Sequence, residues 1–106
     1  MAVARFSRLA EADVLSIGTY TLRTWGEEQT IQYLDDLEAC CRTLAGNPGL
    51  GRDCSDIRPG LQRFETGSHV VFYRQETGGI MVSRILHERM LPTRNRLADE
   101  ADDDGP

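Results

Sequence analysis

LQRFETGSHVVFYRQETGGIMVSRILH, residues 61–87, is three extended segments written end to end. Leu61–Thr66, His69–Arg74 and Ile80–His87 are rich in β-branched and aromatic residues, and Gly67-Ser68 and Gly78-Gly79 separate them at hairpin spacing. Three strands joined by such tight turns form an antiparallel meander, which must bury at least one face under another element. The cover lies upstream. From Arg8 to Arg23, Ala10, Val14, Ile17 and Thr21 recur at helical spacing, and Leu15 and Leu22 widen that stripe. Ser7 suits the N-cap, and Gly26 suits the left-handed position past a helix end. Glu27 and Glu28 open a second helix, Ile31, Leu34, Leu37, Cys41 and Leu44 line it, and Gly46-Asn47-Pro48-Gly49 ends it.

Helices joined this closely fold back as an antiparallel hairpin, with Trp25 and Leu44 expected in the core. Ala2–Phe6 precedes them as a short strand, and Leu50–Gly60 is a loop. Glu88–Leu97, interrupted by Pro92, leaves the last strand as a short helix or extension. The expected fold is α+β over residues 1–97: a short N-terminal strand and a helical hairpin packed on a three- to four-stranded antiparallel sheet, with the other face partly open.

The chain has 106 residues, 40% of them hydrophobic and 27% charged, which suits one globular domain burying roughly 65% of its unfolded surface. No apolar run approaches the roughly 18 residues of a membrane span, and no apolar stretch of a secretory signal follows the start. A cytoplasmic protein with no membrane partner is expected. The net charge of −5 comes entirely from Asp99, Glu100, Asp102, Asp103 and Asp104, in a tail (98–106) with nothing to bury, expected to be disordered. Within the body, residues 1–51 carry four Arg and seven acids, whereas residues 52–98 carry eight Arg and five acids. The second half is where an anionic partner would be sought.

Chemistry-bearing groups are sparse. Cys40, Cys41 and Cys54 have neither disulfide nor zinc-ligand spacing, so reduced thiols and no metal or cofactor are expected. His69 begins a strand and His87 ends one, and no Ser/His/Asp or Cys/His set accompanies them. Alternation places Ile80, Val82, Arg84 and Leu86 on one face of the last strand. Arg84 among apolar neighbours calls for a partner, either a helix carboxylate or an external anion. Arg52, Arg58, Arg63, Arg74, Arg89, Arg94 and Arg96 lie among Phe64, Phe72 and Tyr73, but the intervening acids weaken a nucleic-acid surface. Asp35, Asp36 and Glu38 read as the wet face of the second helix.

The order of signals resembles the ParE toxins of bacterial type II toxin–antitoxin modules, within the RelE/ParE superfamily. The stretches that carry the resemblance begin with Ser7-x-x-Ala10-x-x-Asp13-Val14-x-x-Ile17 and Tyr20-(x4)-Trp25-Gly26-x-x-Gln29. Asn47-Pro48-Gly49-x-Gly51-Arg52 and Ile57-Arg58-Pro59-Gly60-Leu61 follow. Gly67-Ser68-His69-Val70-Val71-Phe72-Tyr73-Arg74 and Arg84-Ile85-Leu86-His87-x-Arg89-Met90 complete the series, which spans residues 7–90.

The resemblance implies a non-enzymatic protein that inhibits DNA gyrase and is neutralised by a ParD-like antitoxin in a hetero-oligomer of 2:2 or higher. Operator DNA would be reached only through the antitoxin. Target contacts are then expected at Arg84, His87, Arg89 and Arg94, and antitoxin contacts at Leu22 and Tyr33. The alternative is a RelE-like, ribosome-dependent mRNA endoribonuclease in which Arg63, Arg74 or Arg84 holds phosphate and His87 is the acid. The absence of any Lys, and of any Tyr after Tyr73, departs from that pattern. The tail lies outside the resemblance, and deleting residues 99–106 should leave the melting temperature unchanged. A fall of several degrees in a thermal melt would show that the tail docks on the domain.

Overall fold

A computed structural model describes residues 2–90. The order of elements is β1 (Val3–Phe6), α1 (Arg8–Trp25), α2 (Glu27–Gly46), β2 (Arg52–Asp53), β3 (Leu61–Thr66), β4 (His69–Glu76) and β5 (Gly79–His87). Single 3-10 turns stand at Pro48–Leu50 and Glu88–Met90. The strands lie in the order β1-β5-β4-β3-β2. The meander and helical hairpin are as expected, but the sheet is wider and mixed. The loop after α2 contributes β2, antiparallel to β3, and β1 pairs in parallel with β5. β5 is apolar on both faces, and a strand buried to that degree needs a neighbour on each edge for its backbone groups. Gly79 lets β1 approach: its φ is +154°, and a Cβ there would lie 1.9 Å from the Val3 carbonyl oxygen.

The hairpin buries Ala10, Ile17, Leu37, Cys41, Leu44 and Ala45 against Val71, Tyr73, Ile80, Val82 and Ile85. On the opposite face Cys54, Leu61, Val70, Phe72 and Leu86 form a smaller cluster with Ile57. β4 is therefore buried on both faces. Tyr73 ends its apolar reach with a polar grip: its hydroxyl donates to the Pro48 carbonyl at 2.8 Å and accepts from the Gly51 N–H at 2.9 Å. That phenol ties the turn after α2 to the sheet.

Three further expectations change. The β4–β5 turn is Thr77-Gly78 rather than Gly78-Gly79, with Gly79 already paired to Glu76. The pairing then slips: Tyr73 faces Val82 but Phe72 faces Arg84, leaving Ser83 as a bulge. The bulge reverses the alternation, so Ile85 joins Ile80 and Val82 beneath the helices while Leu86 lies on the opposite face. Finally, Trp25 is 67% exposed and is not a core residue. It is in phase with the buried stripe, but it is the last residue of α1, and the chain reverses at Gly26 before anything covers it. Leu15 and Leu22, each one residue beyond a stripe position and so rotated about 100° from it, are exposed as well.

Leu44, fully buried, and Trp25, mostly exposed, should therefore differ sharply on truncation. Leu44→Ala is expected to cost about 2–5 kcal/mol and Trp25→Ala less than about 1 kcal/mol in urea denaturation. Equal losses would show that Trp25 is covered in solution.

Candidate functional site

β1 stops at Phe6, opposite Val82, while β5 continues to His87. The beginning of α1 completes the exposed edge. The Ser7 N–H donates to the Val82 carbonyl at 3.0 Å, and the Ser7 hydroxyl donates to the Ser83 carbonyl at 2.7 Å. The same hydroxyl accepts from the Ala10 N–H at 3.0 Å and so caps the helix. One turn on, Asp13 takes the Ile85 N–H at 2.9 Å. Its two oxygens also take the Arg84 guanidinium, Nε at 2.8 Å and Nη2 at 2.9 Å. The pair is sheltered, with 12% and 13% of the two side chains exposed. Of the two partners open to Arg84 from sequence, the structure has the helix carboxylate, and a bidentate fork fixes it.

Beyond the bulge, β4 and β5 bring two imidazoles together. His69 and His87 are cross-strand partners with ring centroids 5.3 Å apart, edge to face. Tyr33, from α2, lies against His69 with centroids 5.5 Å apart, and its hydroxyl meets His69 Nδ1. The Ser68 N–H donates to the same hydroxyl oxygen at 3.3 Å. Burial pushes the Tyr33 phenol up from its ordinary value, with the Ser68 bond opposing this. Burial, reinforced by the His87 charge, pushes His69 down; Asp13 and Glu88 pull the other way. His87 Nδ1 accepts from the Arg89 N–H at 3.0 Å, which shapes the Glu88–Met90 turn.

The remaining candidates are scattered. Arg63 stacks 5.8 Å from the centre of the Phe72 ring, and its Nε is buried without a hydrogen-bond partner. It belongs to the face opposite the helices, away from His87. Arg89 is exposed, and Arg94 lies outside the described residues, as does the acidic tail. Leu22 is 52% exposed on the outside of α1, whereas Tyr33 helps to line a small hollow with Asp36, Leu37, Thr66 and Gly67. A larger apolar groove of about 580 Å³ runs between β1 and the hairpin, lined by Val3, Phe6, Val14, Leu34, Leu37 and Cys41. Burial pushes the Cys41 thiol up to about 12, so it is a packing group rather than a nucleophile. Cys40 and Cys54 are likewise free thiols raised by burial. Among the described residues, no group of three or more His, Cys, Asp or Glu is placed to hold a metal ion, and no helix is long and apolar enough to cross a membrane.

Residues 4–92 match the family described as "ParE toxin of type II toxin-antitoxin system, parDE". This chain belongs to the ParE toxin family. It is 42% identical over 90 residues to Toxin ParE1 of Mycobacterium tuberculosis, covering 84% of this chain and 92% of that one. It is 41% identical over 86 residues to Toxin ParE1 of Caulobacter vibrioides, covering 81% and 88%. Toxin ParE of Escherichia coli is 40% identical over 91 residues, covering 85% and 87%. In fold it is similar to a chain of the chromosomal ParDE system of P. aeruginosa, with a TM-score of 0.68 at 23% identity, over 82% of this chain and 96% of that one.

For a ParE-family chain the most informative residue not singled out as a site candidate is Asp13. The available signal was a carboxylate beside Ala10, Val14 and Ile17, on the buried side of the helix. His69 carries no comparable signal in the sequence, because its pairing with His87 exists only once the bulge is in place. Asp13→Ala strands both the Arg84 guanidinium and the Ile85 N–H and is expected to cost about 3–5 kcal/mol. Asp13→Asn keeps an acceptor for Ile85 and should cost clearly less. Identical losses for the two variants in urea denaturation would remove the backbone bond from this account.

Proposed function

We propose that this ParE-family chain arrests growth by binding DNA gyrase and inhibiting it, without catalysis, and that a ParD-like antitoxin neutralises it in a hetero-oligomer of 2:2 or higher. The observation that carries this reading is the match to the ParE toxin family over residues 4–92. A second observation weighs against the nuclease alternative. Arg84, which that mechanism would aim at phosphate, is held along its Nε/Nη2 edge by both oxygens of Asp13 and serves as a positioning residue for β5. Target contacts are proposed at His87, Arg89 and Arg94, where the basic half of the chain leaves the sheet. The antitoxin is proposed to contact exposed Leu22 and the Tyr33 side of α2, with an apolar segment entering the groove between β1 and the hairpin. It would carry the operator-binding function, and the toxin acts in the bacterial cytoplasm.

The deciding experiment assays the purified chain side by side in gyrase supercoiling and in cell-free translation. Inhibited supercoiling with unaffected translation is expected, whereas mRNA cleavage on ribosomes would reassign the chain to the nuclease class. Arg89→Ala should weaken inhibition by about tenfold, the scale of one interface side chain, and leave antitoxin binding intact. For a nuclease, His87→Ala would instead remove about a hundredfold or more of the activity.

A further inference from the structure

The contacts around His69 and His87 form one connected hydrogen-bonded cluster. Tyr33 Oη accepts from the Ser68 N–H, so its own hydrogen is free to point at His69 Nδ1. His87 Nδ1 accepts from the Arg89 N–H. His87 therefore has an unprotonated Nδ1 and carries its hydrogen on Nε2, which is the neutral form, while His69 and Tyr33 share one hydrogen bond between Nδ1 and Oη. The Glu88 N–H donates to the Ser68 carbonyl at 3.0 Å, closing a ring of contacts through Ser68, Tyr33, His69, His87 and the turn that follows β5. Two of those contacts fail on protonation. A hydrogen on His87 Nδ1 would face the Arg89 N–H, donor against donor, and two charged rings 5.3 Å apart would repel each other.

We propose that Tyr33, His69 and His87 form a proton-operated clasp, which holds the Glu88–Met90 turn against the sheet while both rings are neutral and releases it when they charge. The groups packed around the clasp are Tyr33 on α2, Asp13 on α1, His87 on β5, and Glu88 and Arg89 in the turn. Asp13 and Glu88 favour a charged His69, but Asp13 already serves Arg84, and burial together with His87 outweighs them. His69 thus titrates lower in the folded chain than its ordinary value of 6.5, so below that value the unfolded chain binds more protons. The stabilisation given by the neutral clasp is complete above pH 6.5 and is lost as pH falls through the folded-state value. The released element carries Arg89, so acid would alter how that guanidinium is presented. This inference stands on the cluster geometry and is independent of which target the toxin binds.

The test is amide hydrogen exchange on the full chain without antitoxin at pH 7.5 and 5.5, corrected for the intrinsic rate at each pH. Protection of the Arg89 amide is expected to fall at least tenfold at the lower pH while that of Val71, in the core, holds. Asn places an oxygen near the position of imidazole Nδ1 and does not titrate, so His87→Asn should keep Arg89 protected at both values. Equal protection of Arg89 in the parent at both pH values would overturn the clasp, and so would a pH-dependent loss that persists in His87→Asn. If that variant does not fold, NMR titration of the parent decides. Arg89 amide shifts that follow the His87 midpoint, with His69 titrating below 6.5, support the clasp; amide shifts independent of either ring refute it.

Discussion

A buried strand must find a hydrogen-bonding partner for its whole length on both edges, and β5 meets that requirement with three different elements. β4 lines one edge. On the other, β1 pairs only as far as Val82, and from there the first turns of α1 take over. Ser7 and Asp13 substitute for a neighbouring strand, offering a backbone N–H, a hydroxyl and a carboxylate where a ladder would have continued. Because Ser7 also caps α1, the position of the helix along the sheet and the completion of the strand are one constraint. Arg84 adds a bidentate pair to that junction, in surroundings where an uncompensated charge would be strongly destabilising.

The bulge at Ser83 follows from the same place. It lets the Ser83 carbonyl reach Ser7, and by shifting the phase of β5 it sends Ile85 beneath the helices and Leu86 to the other face. It also sets the register at the far end. An unbroken ladder from the Thr77-Gly78 turn would put His69 opposite Leu86; one extra residue puts it opposite His87. The meeting of the two imidazoles with Tyr33 is thus a consequence of how α1 is attached to the sheet. For a toxin of the ParE family this divides the molecule usefully. One end of β5 is spent on architecture, and the other carries titratable and basic groups to the point where the chain leaves the fold.

Much of this was legible along the chain because it depends on local periodicity. The alternation of Ile80–Val82, the Gly67-Ser68 turn, the four-three-four stripe of Ala10, Val14, Ile17 and Thr21, and the stop at Gly46-Asn47-Pro48-Gly49 each report a near-neighbour requirement. The motifs from Ser7 to Met90 likewise sufficed to indicate the family. Trp25 misled because phase along a helix says which side a residue faces but not whether anything lies beneath the helix end. Arg84 was readable as needing a partner, since an Arg among apolar residues is costly alone, and Asp13 as that partner was not, since the two are far apart in sequence.

Sequence by itself therefore determined the α+β class, the helical hairpin, the meander and membership of the toxin family, because these rest on spacings of two to four residues and on the order of motifs. Tertiary structure decided the parallel pairing of β1, the bulge, the Asp13–Arg84 fork and the Tyr33–His69–His87 contact. Each of these joins residues well beyond the reach of local periodicity, from a dozen to more than seventy positions apart. Their geometry is set by the demand that no buried backbone group or charge be left without a partner, which can be met only once all the surrounding elements are in place.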